Sequence, residues 1–263
     1  MRTVAGEIPR LSAMRRAVLP LFLVSGAAGL VYEVVWTRAF GVVFGNTVFA
    51  VSTVLTAFML GLASGSWLFG RIADKVAQPL KLYALLELCI GVYAFLFPAI
   101  LDATDTFYGW FFRAFHPGFY LLSLVRFVVS VILLIIPTSL MGGTLPVLSR
   151  LWANQLQNDS PDSRVGQAVG LLYAINTFGA VVGTFVSGYL LLRTIGVSNT
   201  ICVAASANVF AGAAAFLLSR FARGHDATES LPPNQPVQAR KPKKKPHGHK
   251  DTSVEASDSA QSA

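Results

Sequence analysis

Long apolar runs separated by short polar segments dominate the first 220 residues of the chain. An α-helix rises about 1.5 Å per residue, so about 20 apolar residues are needed to cross a hydrocarbon core about 30 Å thick. Six runs reach that length, which predicts an all-α membrane bundle of six transmembrane helices within residues 17–220. The predicted spans are about 17–37, 46–69, 80–101, 119–141, 166–191 and 197–219.

The composition supports a membrane protein. Hydrophobic residues make up 54% of the chain and charged residues only 13%, whereas a soluble domain carries about 25% charged residues. A soluble single-domain enzyme and a disordered chain are both excluded. Residues 221–263 differ from the rest because they have few large apolar side chains and many Pro, Ser and Lys residues, which predicts a disordered cytoplasmic tail.

Basic residues fall mainly on one side of the predicted spans. Eleven Lys and Arg residues lie in residues 1–16, after the second and fourth spans, and just after the sixth, against three on the opposite side. Cytoplasmic loops are enriched in basic residues, so both termini are predicted to be cytoplasmic in a multi-pass protein of the inner membrane. The aromatic outer segment 102–118 is expected to form an interfacial helix, with a lid over an external opening as the alternative.

Two sets of glycines have the same spacing, four and then five residues, in the second and fifth spans. Such glycines allow helix backbones to approach closely. The two spans would cross the bilayer in opposite directions, so the sequence predicts a 3+3 inverted repeat and a half-major-facilitator-like fold. The predicted packing glycines are Gly61, Gly65, Gly70, Gly179, Gly183 and Gly188.

Three ionisable residues lie inside the predicted spans, where each charge costs about 2.5–3.5 kcal/mol. Helical rise places Glu33 and Arg126 at a similar depth, so we expect an ion pair between them or a ligand or proton site there. Arg38 lies near Glu33 and either shares it or anchors the helix at the interface. Glu87 has no basic residue at its depth, and either reaches Lys81 or water or holds a proton.

Further polar groups lie near the middle of the fifth and sixth spans. Tyr173, Asn176 and Asn208 join Glu87 in a predicted proton or substrate site, with hydrogen bonding between helices as the structural alternative. Pro137 and Pro146 bracket a stretch of small residues in the fourth span and predict a kink in its inner half.

The remaining chemistry in the sequence is sparse. Cys89 and Cys202 each lie within an apolar run and are predicted to be packing residues, and no metal-ligand spacing exists, so neither a metal ion nor a cofactor is expected. His247 and His249 alone make a poor metal site. The basic block at 240–245 is predicted to attract anionic lipid headgroups, ahead of nucleic acid, which is not expected as a partner.

Two resemblances to known families follow from particular motifs. Gly70, Arg71, Asp74 and Lys75, in the predicted loop after the second span, resemble the start of the cytoplasmic loop motif of the major facilitator superfamily. The chain departs from that motif after Lys75, where no glycine and no paired basic residues follow.

Three segments, residues 25–38, 137–146 and 170–180, resemble the bacterial fused major-facilitator/spermidine synthase proteins. This resemblance covers residues 17–220 and implies the membrane module of that family. In the family the module is commonly followed by a Rossmann-like domain that transfers an aminopropyl group to a polyamine. After Arg223 the sequence has no strand with a glycine-rich turn, so no aminopropyltransferase active site is expected in this chain.

Three functions remain open at this stage. The first is a transport-like module that partners a separate aminopropyltransferase, either soluble or of the fused type. The second is a membrane scaffold that moves nothing, and the third is an aminopropyltransferase whose catalytic domain this chain lacks. Six spans are half of a full facilitator, so a homodimer that packs through the glycine faces is also predicted.

Overall fold

The computed structural model describes residues 7–44, 47–156 and 161–229, and this part of the chain is helical throughout apart from short connections. Each of its six main helices is long and apolar enough to cross a membrane, which confirms the predicted six-helix, all-α bundle. A π-helical turn, Ser187–Leu191, and one further turn, Leu192–Thr194, continue the fifth helix. The six helices are α1 Glu7–Phe44, α2 Thr47–Lys75, α3 Pro79–Phe115, α4 Phe119–Leu156, α5 Pro161–Val186 and α6 Gly196–Glu229.

The connections between the helices define two ends of the bundle. The hairpin end carries the α1–α2, α3–α4 and α5–α6 turns, and the terminal end carries the α2–α3 and α4–α5 connections. Two turns at the hairpin end use left-handed backbone, at His116 (φ 43°) just after α3 and at Gly196 (φ 78°), the first residue of α6. The His116 amide donates a hydrogen bond to the Phe112 carbonyl (2.9 Å) and so closes the last turn of α3.

The packing of the helices repeats between the two halves of the bundle. The most extensive pairs are α2 with α4, α1 with α5, and α3 with α6, followed by α3 with α4 and α1 with α6. If α1, α2 and α3 are exchanged for α4, α5 and α6, the α2–α4 pair becomes α1–α5 and the α3–α4 pair becomes α1–α6. This is the contact pattern of an inverted repeat, and α3 and α6 form the pair that maps onto itself.

The α3–α6 contact has two-fold symmetry at the level of single residues. A glycine of each helix packs against the backbone and side chains of two residues on the other, and each contact residue has its counterpart 121 positions along the chain. Reciprocal contacts of this kind indicate a two-fold axis, here perpendicular to two antiparallel helices. The contacts are Gly91 with Ala205 and Val209, and Gly212 with Ala84 and Leu88.

The predicted packing glycines divide into two groups. A Cβ atom at four of the six would clash with a neighbouring helix, whereas Gly70 has Pro146 at an ordinary contact distance and Gly188 has open space around it. Gly188 lies within the π-helical turn, where the backbone departs from the packing register of α5. The close contacts are Gly61 with Thr138, Gly65 with Ser139, Gly179 with Leu23 and Gly183 with Ala27.

Several helices extend beyond the predicted spans. α2 continues to Lys75, so the loop-motif residues lie in its last turns rather than in a loop. α3 runs without a break through Pro98 to Phe115, so segment 102–115 is not a separate interfacial helix, because no proline lies between residues 102 and 116 to end the helix. α6 reaches Glu229, so residues 221–229 are helical, and α4 is one helix through both of its prolines. The basic block at 240–245 and both tail histidines lie outside the described residues.

Candidate functional site at the centre of the bundle

The carboxyl group of Glu87 lies fully buried where α1, α3 and α6 meet. The Ser25 hydroxyl of α1 donates a hydrogen bond to its Oε1 (2.5 Å), and the Asn208 amide of α6 donates one to its Oε2 (2.5 Å). The Tyr32 hydroxyl of α1 donates in turn to Oδ1 of Asn208 (2.8 Å). Three helices therefore contribute to one polar network around a single carboxyl group.

No basic side chain neutralises Glu87 in the part of the chain that the structure describes. The ion pair found there joins Asp74 of α2 to Arg150 of α4 (3.7 Å), at the terminal end and far from the network. A carboxyl group buried without a counter-ion is costly in its charged form, and it is stabilised there only by its hydrogen-bond donors. The network thus contains a group that is able to hold or release a proton.

Tyr83 places a further polar group at the same site. It lies one helical turn before Glu87 on α3, is fully buried, and faces the carboxyl group. Its hydroxyl lies beside the Glu87 carboxyl group and the Ser25 hydroxyl, without a hydrogen bond of regular geometry to either. The network therefore has one hydroxyl beside the carboxyl group whose hydrogen bonding can change when Glu87 gains or loses a proton.

Apolar layers close the network on both sides. Towards the hairpin end, Tyr32 stacks on Trp36 with ring centroids 5.4 Å apart, and Trp36 contacts Phe97 at 5.2 Å. Towards the terminal end, Phe22 packs edge-on against Tyr83 at 6.3 Å. Two separate hydrophobic clusters continue these layers along the bundle. Glu87 is consequently a polar site shut off from both ends.

Glu87 and Asn208 occupy equivalent positions in the inverted repeat. They are 121 positions apart, the same separation that relates the glycine contacts of α3 and α6. The two-fold axis therefore passes between these two side chains. The carboxyl group on one side faces an amide donor on the other, which avoids the repulsion that two facing carboxylates would have.

Two residues predicted for this site lie outside the hydrogen-bonded network. Asn176 of α5 packs on Gly26 of α1, next to Ser25, but makes no hydrogen bond to the network. Tyr173 is 61% exposed on the outer surface of the bundle. Of the predicted group, the structure brings Glu87 and Asn208 together.

The expected ion pair between Glu33 and Arg126 is not formed among the described residues. The Arg126 guanidinium instead lies over the Tyr108 ring of α3, 6.0 Å from its centroid. Glu33 is half-buried on α1, Arg38 is exposed on the same helix, and α1 has few contacts with α4. Equal depth did not bring the two charges together because α1 packs against α5 while Arg126 faces α3.

The loop-motif residues form a small cluster at the terminal end of α2. The Arg71 guanidinium stacks over the Trp67 ring, 3.8 Å from its centroid, and is exposed. Asp74 makes the ion pair with Arg150 described above, which links the ends of α2 and α4. These contacts join two helices of opposite halves and do not approach Glu87.

The network also contains three residues that the sequence analysis did not single out, Ser25, Tyr32 and Tyr83. Their spacing could have predicted them, because Ser25 and Tyr32 are seven positions apart and Tyr83 and Glu87 are four apart. Each spacing places the two residues on one face of a helix. Within the described ranges no cluster of His, Cys, Asp and Glu is able to hold a metal ion, and Cys89 and Cys202 are free and exposed.

Comparisons with family models, with curated proteins and with solved structures gave no match to this chain. The fold defines the class of the chain as a multi-pass helical membrane protein, and its described residues enclose the occluded polar site at Glu87.

Proposed function

We propose that this chain is a transport-like membrane module in which Glu87 takes up and releases a proton as the two halves of the bundle move. The observation that carries this proposal is a fully buried carboxyl group without a cationic partner, on the axis that relates the two halves. Ionisable groups inside a membrane commonly mark proton or substrate pathways, and transporter sites commonly lie between inverted repeats.

Protonation of Glu87 would change the contacts that join three helices. The charged carboxylate accepts hydrogen bonds from Ser25 and Asn208, whereas a protonated carboxyl group has a hydrogen to donate and needs an acceptor. The Tyr83 hydroxyl, which lies beside the carboxyl group, is the acceptor within reach. The two protonation states thus favour different arrangements of α1, α3 and α6, which is how a proton is coupled to movement of the halves.

The polyamine part of the proposal rests on the family resemblance of residues 17–220. The module would work beside a separate polyamine aminopropyltransferase, in the inner membrane with both termini in the cytoplasm, and as a homodimer that supplies the second half of a facilitator. Because Gly61, Gly65, Gly179 and Gly183 pack within the chain, the homodimer would use a surface other than these glycine faces. Few carboxyl groups are available for a polycation, since within the spans only Glu33 and Glu87 are acidic and buried or half-buried.

A membrane scaffold is the second candidate function, and the closed packing around Glu87 favours it. The apolar layers on either side leave no open path through the described part of the bundle. In this function the network would hold three helices in register, and the chain would serve to place the aminopropyltransferase at the membrane.

Infrared difference spectroscopy during a pH step tests the proton site. We expect the wild-type protein in lipid vesicles to show the carbonyl band of a carboxylic acid that gains or loses its proton. Glu87→Gln should abolish this band, and Glu33→Gln, which removes the other embedded carboxyl group, should retain it. Identical spectra for wild type and Glu87→Gln would exclude Glu87 as the proton site.

Uptake of labelled polyamine into proteoliposomes under a pH gradient separates the two candidate functions. Transport predicts uptake that is lost in Glu87→Gln and kept in Glu33→Gln. A scaffold predicts no uptake in any of the three proteins.

A further inference from the structure

Two backbone carbonyl groups of α4 lose their helical hydrogen-bond partner because of its prolines. A proline has no N–H, and its ring pushes aside the carbonyl group four residues earlier in the helix. Pro137 and Pro146 both lie inside α4, so the carbonyls affected are those of Leu133 and Gly142. Within a bilayer such a carbonyl needs a donor from a neighbouring helix or an ordered water.

Each of these two carbonyls accepts a hydrogen bond from a helix of the other half of the bundle. The Tyr93 hydroxyl of α3 donates to the Leu133 carbonyl (2.7 Å). The Ser66 hydroxyl of α2 donates to the Gly142 carbonyl (2.8 Å). Both bonds have the usual length for a hydroxyl donor. The first half of the bundle is therefore tied to the second at each proline of α4.

Hydroxyl groups elsewhere around α4 make different bonds. Thr138 donates to the Leu134 carbonyl of its own helix, as serine and threonine commonly do. Tyr108 of α3 also reaches α4, at the Arg126 carbonyl, but over 3.4 Å. The residue four positions after Arg126 is Ser130, which has an N–H of its own for that carbonyl. Among the described residues, the short hydroxyl bonds from α2 and α3 to α4 carbonyls thus fall at the two prolines.

The segment of α4 between the prolines is packed closely on α2. Gly61 of α2 contacts Thr138, Gly65 contacts Ser139, and a Cβ at Gly142 would clash with the backbone of α2. A helix bends most readily where its ladder of hydrogen bonds is interrupted, and proline is the usual cause. With its middle segment held on α2, α4 has two places to bend, one at each end of that segment.

We propose that α4 is a helix with two proline hinges, each locked by a hydroxyl group from the other half of the bundle. Tyr93 locks the hinge at Pro137, and Ser66 locks the hinge at Pro146. While the hydroxyl is in place, the carbonyl has a partner and the bend at that proline is fixed. When the hydroxyl moves away, the hinge is free to open. The device goes beyond the proposed function, because it holds whether or not Glu87 exchanges a proton.

Hydrogen exchange of the full chain in lipid nanodiscs, followed by mass spectrometry of overlapping peptides, tests the two locks separately. Amide exchange measures local opening of a helix. We expect Tyr93→Phe to speed exchange about fivefold in residues 134–141 and to leave residues 143–150 as in the wild type, and Ser66→Ala to do the reverse. Faster exchange throughout the bundle, or no change at either proline, overturns the proposal.

Replacing the prolines distinguishes a lock from simple packing. Pro137→Ala restores an N–H to the Leu133 carbonyl, so the Tyr93 hydroxyl is no longer needed there. Exchange in residues 134–141 should become slower than in the wild type, and adding Tyr93→Phe should not speed it again. A fivefold effect of Tyr93→Phe that persists in the Pro137→Ala background overturns the lock.

Ser66→Ala with Pro146→Ala repeats this test at the second hinge, so a variant that fails to fold at one proline leaves the other to decide. Tyr108→Phe is the matched control, because it removes a hydroxyl bond from α3 to an α4 carbonyl that has its own N–H partner. It should leave exchange at both prolines as in the wild type. Exchange in residues 134–141 that rises as much in Tyr108→Phe as in Tyr93→Phe would also overturn the proposal.

Discussion

The two helices that meet on the symmetry axis, α3 and α6, share a packing surface but differ in chemistry. Gly91 and Gly212 make equivalent close contacts, whereas the equivalent positions between them carry a carboxyl group at Glu87 and an amide at Asn208. Close packing requires small residues on both sides of the axis. Two facing carboxyl groups, however, would repel each other when both are charged. The two halves therefore repeat the glycine packing, whereas only one of them carries an ionisable group on the axis.

The largest expected effect comes from making the chemistry of the two sides the same. Asn208→Asp would place a second carboxyl group against Glu87 and remove the donor to its Oε2. We expect a loss of about 3 kcal/mol in the free energy of unfolding, and the loss should grow as the pH rises, because both groups are then charged. Unfolding by denaturant in micelles at several pH values measures it.

Adding Glu87→Gln to Asn208→Asp returns a single carboxyl group to the axis and serves as the control. The double variant should be more stable than Asn208→Asp alone. If the double variant lost as much stability as the two single variants added together, the contact between these side chains would be contradicted.

A smaller effect is expected from breaking the packing that the two sides share. Gly91→Ala and Gly212→Ala would each push a methyl group into the opposite helix, whereas Gly170→Ala, in α5, meets nothing within 4 Å. We expect the first two variants to lose about 1–3 kcal/mol each, by similar amounts, and Gly170→Ala to lose none. Unequal losses at Gly91 and Gly212, measured by thermal unfolding, would count against the symmetric contact.

The smallest effect should distinguish the two tyrosines beside the axis. Tyr32→Phe removes the donor to Asn208 and leaves its Oδ1 unpaired, so we expect a loss of about 1 kcal/mol. Tyr83→Phe removes a hydroxyl that makes no hydrogen bond of regular geometry, so we expect a smaller loss than in Tyr32→Phe. Equal losses in both variants, measured by the same unfolding assay, would mean that Tyr83 has a partner in solution.

The sequence predicted the parts of this structure that depend on hydropathy and on residue size. The six helices followed from run length, and the close approach of Gly61, Gly65, Gly179 and Gly183 follows the predicted spacing. The helix ends were less predictable, because residues such as Asp102 and Asp105 end a hydrophobic run without ending a helix.

The candidate site was predicted only in part, because depth along a helix does not tell which way a side chain faces. Glu33 and Arg126 have similar depths on helices that hardly touch, whereas Glu87 and Asn208, which were predicted for one site, are in contact. Only the pairing of α3 with α6 determines that contact. Tyr173 shares a helix with Asn176 but lies on the outer surface. The apolar residues on both sides of it in the sequence do not indicate which face of the helix is buried.

Disulfide trapping across the axis tests the central claim, that the two halves are inverted copies meeting at Glu87 and Asn208, most directly. In a background without Cys89 and Cys202, Leu88→Cys with Gly212→Cys forms one pair and Gly91→Cys with Val209→Cys its symmetric counterpart. A Cβ at Gly212 would lie 2.8 Å from the Leu88 side chain, and one at Gly91 would lie 2.7 Å from that of Val209, so each pair is close enough for a disulfide. We predict that a membrane-permeant oxidant links both pairs at similar rates, whereas trapping of one pair without the other would contradict the two-fold axis.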